Sequence, residues 1–266
     1  METFERLRNE TPATESVYVL HELVHNHTVT GQMRARGAVF IATPEELPRG
    51  ARCLIGAHGV EPETERRLRE RASRLVDATC PIVKKVQQLA AKLTETEALV
   101  LFGVHGHPEA EGILGRAGTP VRFLVTSVEE IAGLPELSNP VFLCQSTMEN
   151  AQADLVFMAL RMRFPNARRE GTICHASAKR QRAVEELVKQ ADILLVIGSA
   201  HSSNAVRLRE IGERAGIPAY LVDGSEQLPP DVAKFTRVGI AAGASTPDEQ
   251  ISRTILAVRK KLNITG

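Results

Sequence analysis

Short apolar runs alternate with amphipathic stretches along almost the whole chain, and this pattern limits the fold more than any other feature of the sequence. The runs Val17–Leu20, Val39–Ala42, Cys53–Ala57, Leu99–Val104, Val121–Val125, Val141–Cys144, Ile193–Ile197, Ala219–Val222 and Val238–Ala241 are rich in Val, Ile or Leu and are bounded by turn residues, as strands are. Between and after them, Glu61–Ser73, Ile82–Leu93, Ala151–Phe164, Lys179–Gln190, Ala205–Ala215 and Pro247–Leu262 read as helices. In the last of these Ile251, Ile255, Val258 and Leu262 fall at helical spacing behind a proline suited to a first turn. Strand and helix in alternation predict βαβ units, mostly parallel sheets and the α/β class.

Two short blocks repeat 94 positions apart. Asp77-Ala78-Thr79-Cys80-Pro81 leads into a stretch with Lys84 and Lys85, and Thr172-Ile173-Cys174-His175 leads into one with Lys179 and Arg180. A repeated α/β unit of roughly 90 residues predicts three similar modules around a centre, 1–80, 81–171 and 172–266. No stretch of linker composition separates them, so they are expected to pack together.

Thirty-three Lys and Arg stand against 32 Asp and Glu. With a formal net charge of +1, no bulk field draws the chain to nucleic acid or to a membrane surface, and an anionic ligand has to be held by a local site. The longest apolar runs fall far short of the roughly 20 residues of a membrane span, and Met-Glu-Thr-Phe-Glu-Arg offers no secretory core, so a cytoplasmic protein is expected. Cysteines 53, 80, 144 and 174 form neither a dense disulfide scaffold nor a CxxC zinc pattern; reduced thiols or soft-metal ligands fit better.

In doubly wound α/β proteins ligands bind beyond the carboxyl ends of strands, where helix N-termini aim N–H groups at anions. Those positions here carry His58-Gly59, His105-Gly106-His107-Pro108-Glu109, Gln145-Ser146-Thr147, the segment Gly198 to Ser202-Ser203-Asn204, and Ala242-Gly243-Ala244-Ser245. Singly, each has an ordinary account: Ser202, Ser203, Asn204 and Ser245 are good helix caps, Glu109 suits a first helical turn, and Cys80 and Cys174 suit buried small hydrophobes. Taken together, they supply the donors a diphosphate needs. Glu109 beside two imidazoles has the chemistry of a proton donor. Cys80 and Cys174, each at a strand-to-helix turn, suit thiolate ligands of an iron–sulfur centre. With no Walker A sequence and no GxGxxG, a standard nucleotide fold is unsupported.

The blocks Leu20-His21-Glu22-Leu23-Val24-His25-Asn26, Gly56-Ala57-His58-Gly59-Val60, Val76-Asp77-Ala78-Thr79-Cys80-Pro81, Gly106-His107-Pro108-Glu109-Ala110-Glu111-Gly112, Thr172-Ile173-Cys174, Gly198-Ser199 through Ser202-Ser203-Asn204, and Ala242-Gly243-Ala244-Ser245-Thr246-Pro247-Asp248 resemble, in order, the 4-hydroxy-3-methylbut-2-enyl diphosphate reductases, the LytB/IspH family. The resemblance implies three α/β modules around a central iron–sulfur (4Fe-4S) cluster. It implies removal of the allylic hydroxyl with two electrons and protons, giving isopentenyl and dimethylallyl diphosphate, the last step of the methylerythritol phosphate route to isoprenoids. Cys80 and Cys174 then resemble two of three cluster ligands. His25, His58, Ser202, Ser203, Asn204 and Ser245 resemble the diphosphate binders, and His107 and Glu109 the proton-delivery pair, with Glu109 the donor. Ser146 stands where the family has a proton-relaying Thr. An electron donor such as ferredoxin or flavodoxin is implied, with no nucleic-acid or membrane partner.

The family's opening strand and Gly-Phe-Cys-like turn, which carries the first cluster cysteine, would precede Met1. The expectation is that the true chain starts upstream or that this is a shortened homologue with an incomplete cluster. Cys53 and Cys144 match no ligand position, although Cys144 offers a substitute. Two other functions compete: a cluster-deficient paralogue that binds an isoprenoid diphosphate without reducing it, and a mononuclear metal hydrolase using His25, His58 and His107.

Overall fold

The computed structural model describes residues 2–21, 26–171, 174–224 and 227–264. They form three parallel sheets. The first joins β1 (Val17–Leu20), β2 (Ala38–Ile41), β3 (Arg52–Ile55) and β4 (Arg74–Asp77) in the order β2-β1-β3-β4. The second joins β5 (Ala98–Phe102), β6 (Arg122–Val125), β7 (Pro140–Cys144) and β8 (Arg168–Arg169) in the order β6-β5-β7-β8. The third joins β9 (Ile193–Ile197), β10 (Ala219–Val222) and β11 (Val238–Ala242) in the order β10-β9-β11. The helices are α1 (Glu2–Asn9), α2 (His27–Ala35), α3 (Pro62–Arg71), α4 (Pro81–Ala91), α5 (Pro108–Arg116), α6 (Asn150–Arg163), α7 (His175–Val188), α8 (Ser203–Arg214) and α9 (Asp248–Lys261). The α/β class with mostly parallel sheets is therefore as the sequence implies.

The chain divides into two compact units, Met1–Leu23 with Gly31–Ile173, and Val24–Thr30 with Cys174–Gly266. The first holds two sheets and the second holds one. In the first unit β5 and β7 are buried along their whole length because both faces are covered. Leu99, Leu101, Val141 and Leu143 pack on Val86, Ala90 and Ile113, while Val100, Phe102, Phe142 and Cys144 pack on Val156 and Leu160. In the second unit Leu194 and Val196 of β9 meet Val184, Leu208 and Ile211, and Ile193 and Leu195 meet Val222, Val232 and Val258. At about 1.5–3 kcal/mol for each large side chain taken from water, these strands dominate the stability.

Two strands escaped the hydrophobic reading. β4 (Arg-Leu-Val-Asp) and β8 (Arg-Arg) are edge strands with half-exposed or exposed side chains, and an apolar signal arises only where burial demands it. Helices α3, α4 and α5 each begin on a proline, whose fixed φ and missing N–H suit that position. At Gly198, just after β9, a Cβ would lie 2.8 Å from the Ala205 Cβ, so only glycine lets α8 approach the strand end this closely.

Strand order fixes where ligands can sit. Each sheet reverses direction at its first strand, between β1 and β3, between β5 and β7, and between β9 and β11. A crevice opens outside the carboxyl ends at such a point, because the connections leave to opposite sides.

Candidate active site

Every candidate hydrogen-bonding or acid residue that is described follows one of those switch-point strands. His58 follows β3, His107 and Glu109 follow β5, Ser146 follows β7, Ser202, Ser203 and Asn204 follow β9, and Ser245 follows β11. His25, which follows β1, lies outside the described residues.

In the first unit four of these residues come together. His107 caps α5, its Nδ1 accepting the Glu109 backbone N–H at 3.1 Å. That bond leaves the proton of the neutral ring on Nε2, so the ring presents an N–H donor. His58 stands edge-on to it, ring centroids 5.0 Å apart. The Glu109 side chain is 1% exposed, and its carboxyl accepts the Ser146 backbone N–H at 2.6 Å and the Ser146 hydroxyl at 3.0 Å. Burial pushes that carboxyl up from 4.5 to about 7, against the lowering effect of the two Ser146 bonds. A carboxylic acid poised near neutrality and bonded to a hydroxyl is equipped to donate a proton.

In the second unit Ser202 caps α8, its Oγ accepting the Ala205 N–H at 3.4 Å. Asn204 is 5% exposed, and neither its carboxamide nitrogen nor its oxygen has a hydrogen-bond partner. Such a group costs about 1–3 kcal/mol unless something bonds to it. Ser203 and Ser245 are half-buried. The turn bearing Ser245 is held to β9 by the Gly243 N–H and the Thr246 hydroxyl, which both donate to the Ile197 carbonyl at 2.9 Å.

Two residues that organise these loops carry no role in the sequence reading. Gln145, just after the end of β7, is buried and links the β5 and β7 ends, its Oε1 accepting the Val104 N–H and its own N–H donating to the Phe102 carbonyl. Asn26 is buried with Gln250: its Nδ2 donates to Gln250 Oε1 at 3.0 Å, and Gln250 Nε2 donates on to the Asp223 carbonyl at 2.8 Å. The signal available was carboxamides placed at loop bases, which composition and periodicity do not flag.

The cysteines separate into two kinds. Cys80 and Cys174 are half-buried N-caps of α4 and α7, with nearly the same backbone angles (φ −53° and −54°). Cys80 is tied to the His58 loop by its N–H, which donates to the Ala57 carbonyl at 2.9 Å. Cys53 and Cys144 are buried within β3 and β7, and burial pushes both thiols up to about 12. Burial keeps both thiols in the neutral form, and neither caps a helix as Cys80 and Cys174 do. Among the described residues no three His, Cys, Asp or Glu gather as a metal site; His25, which the hydrolase alternative requires, lies outside them. No helix among them is long and apolar enough to cross a membrane.

The family described as LytB protein matches residues 1–259. The chain belongs to the LytB family. Among curated members, the 4-hydroxy-3-methylbut-2-enyl diphosphate reductase of Zymomonas mobilis is 42% identical over 249 residues, covering 91% of this chain and 73% of that one. The Mannheimia succiniciproducens enzyme of the same name is 39% identical over 257 residues, covering 93% and 81%. Among solved LytB-type structures, the E-1-hydroxy-2-methyl-but-2-enyl-4-diphosphate reductase from Plasmodium falciparum superposes with a TM-score of 0.91 at 26% identity, over 97% of this chain and 82% of that one. These relatives are oxidoreductases by name, so this LytB chain is a member of an enzyme family.

Proposed function

We propose that this LytB chain reduces 4-hydroxy-3-methylbut-2-enyl diphosphate to isopentenyl and dimethylallyl diphosphate. The C–O bond to the allylic hydroxyl breaks, two electrons and two protons enter, and one water leaves. The single observation that carries the reading is the Glu109–Ser146 pair: a buried carboxyl near neutrality, bonded to a hydroxyl, at a switch point. In its acid form Glu109 passes its proton through the Ser146 hydroxyl toward the leaving oxygen, and His107, with its proton on Nε2, adds a donor. The diphosphate falls to neutral donors, Ser202, Ser203, Asn204 and Ser245, with His25 and His58 adding imidazole N–H groups.

The two half-buried cysteines at helix N-termini fit an iron–sulfur centre in donor chemistry, since a helix N-terminus favours a thiolate. Cys80 and Cys174 would be its ligands from the described residues, and the bound cluster would supply the two electrons. A carrier protein of low potential, such as a ferredoxin or flavodoxin, fits as their source.

Titration calorimetry with the allylic diphosphate tests the binding half. Ser202→Ala and Asn204→Ala are each expected to weaken binding by about 1–3 kcal/mol, roughly five- to 150-fold in Kd. Asn204→Ala should leave the melting midpoint of the ligand-free protein unchanged or raised, because no internal hydrogen bond is lost. Unchanged affinity in both variants removes this segment from the site. Tight binding by protein that takes up no iron would instead favour the cluster-deficient paralogue.

A further inference from the structure

We propose that Gln145 is a positioning residue: it closes a ring of hydrogen bonds between the loops after β5 and β7, and that ring holds the Glu109 carboxyl against Ser146. This rests on the reading of Glu109 as the proton donor. The ring can be followed bond by bond. Gln145 Oε1 accepts the Val104 N–H at 3.0 Å, and the Val104 carbonyl accepts the His107 N–H at 3.3 Å. His107 Nδ1 accepts the Glu109 N–H at 3.1 Å, and the Glu109 carboxyl accepts both donors of Ser146, the residue after Gln145. Two further bonds fix the carboxamide itself. Gln145 Nε2 donates to the Thr147 hydroxyl at 3.2 Å, and the Gln145 N–H donates to the Phe102 carbonyl at 2.9 Å.

The residue is fully buried, at 0% exposure, where a carboxamide is kept only if its polar atoms are bonded, and Leu or Met there would leave the Val104 N–H without its acceptor. The chain also keeps space for it. A Cβ on Gly103 would lie 3.2 Å from Gln145 Oε1 and 3.5 Å from its Cβ, a crowding that glycine avoids. A carboxyl whose only described partners are two atoms of Ser146 stays in place only as well as the two loops stay in register, and that register is what the carboxamide sets. The imidazoles on or beside these loops include His105 and His107, both on the loop after β5, and His58, edge-on to His107.

The test is the titration of the Glu109 carboxyl, followed by carbon-13 NMR of carboxyl-labelled protein and assigned by its absence in Glu109→Gln, together with kcat and KM. Gln145→Leu is expected to move the Glu109 midpoint down toward the ordinary glutamate range, because a loosened carboxyl reaches water. It should also lower kcat about 10–100-fold with KM changed less than about threefold. Thr147→Val, which removes the acceptor of the Nε2–H bond, is expected to move both readouts the same way by less, and Thr147→Ser to restore them; these variants carry the test if Gln145→Leu does not fold. A midpoint that stays put in the folded variants overturns the proposal, whether or not kcat falls, since a residue that only fills space would affect stability without moving the carboxyl. The proposed activity fails separately: an unaltered protein that does not reduce the diphosphate refutes the reductase reading, while the midpoint still decides the role of Gln145.

Discussion

Glu109→Gln is expected to lower turnover about 10²–10⁴-fold while substrate binding and iron content stay near normal, the span that general acid catalysis supplies. Glutamine keeps the shape and can still pair with Ser146, but it has no proton to give. In the unaltered protein the acid form of Glu109 is lost as pH rises through about 7, so turnover should fall on the alkaline side of that value, and the residual rate of the variant should lack this limb. Stability provides a second reading. A carboxyl raised in the fold favours the folded state fully below its ordinary value of 4.5 and loses that contribution as pH climbs toward about 7. Glu109→Gln should therefore melt at a higher temperature, relative to the unaltered protein, at pH 8 than at pH 4. Turnover with a reduced artificial electron donor checks the rate, since it does not depend on the natural carrier. If Glu109 served only the helix dipole, the variant would cost at most about 1 kcal/mol of stability with turnover intact, and the search for the acid would move to His107.

How legible the fold was depended on how completely each strand is buried. β5, β7 and β9 announce themselves as unbroken apolar runs because helices cover both of their faces, and β10, less enclosed, still shows Tyr-Leu-Val. β4 and β8 are held by backbone pairing on one side alone, and Arg168-Arg169 finds charged and aromatic partners, Arg168 pairing with Glu97 and Arg169 with Asp154 while the Arg169 guanidinium lies over the Phe142 and Phe157 rings, so no hydrophobic residue is selected there. The same logic explains α2, which the periodicity did not mark: its mean composition is polar, and it is fixed at its start by the Asn26 side chain, which accepts the Val29 N–H at 3.0 Å, a bond that no hydrophobic pattern reports.

The candidate site was legible where chemistry coincides with a strand end. His107-Pro108-Glu109 could be placed at a helix start because proline prefers the first helical turn, and the structure puts Pro108 there. What the sequence could not contain is the contact between Glu109 and Ser146, 37 positions apart, which exists only because β5 and β7 are neighbours in the sheet. The carboxyl is raised by burial, against the lowering effect of that contact, so the acid becomes recognisable by environment only after folding. Gln145 went without a role for the same reason: its carboxamide acts on Val104, 41 positions back.

The four cysteines yield the other large effect, because the fold assigns them opposite environments. Cys80→Ala and Cys174→Ala are each expected to reduce the iron and acid-labile sulfide taken up in anaerobic reconstitution to background, and to abolish turnover. A thiolate ligand cannot be replaced by a methyl group, and little else in reach is soft enough to bind iron in its place. Cys53→Ala and Cys144→Ala should leave iron, sulfide and the visible absorption band unchanged. Burial pushes both thiols up to about 12, which disfavours the thiolate that metal binding requires. These two variants should show instead a modest loss of melting temperature from the small cavities left in β3 and β7. Iron retained in both Cys80→Ala and Cys174→Ala, or lost in Cys144→Ala, would reverse the assignment. Iron retained in the first pair would also leave the matching helix caps at 80 and 174 as a structural repeat without a metal role.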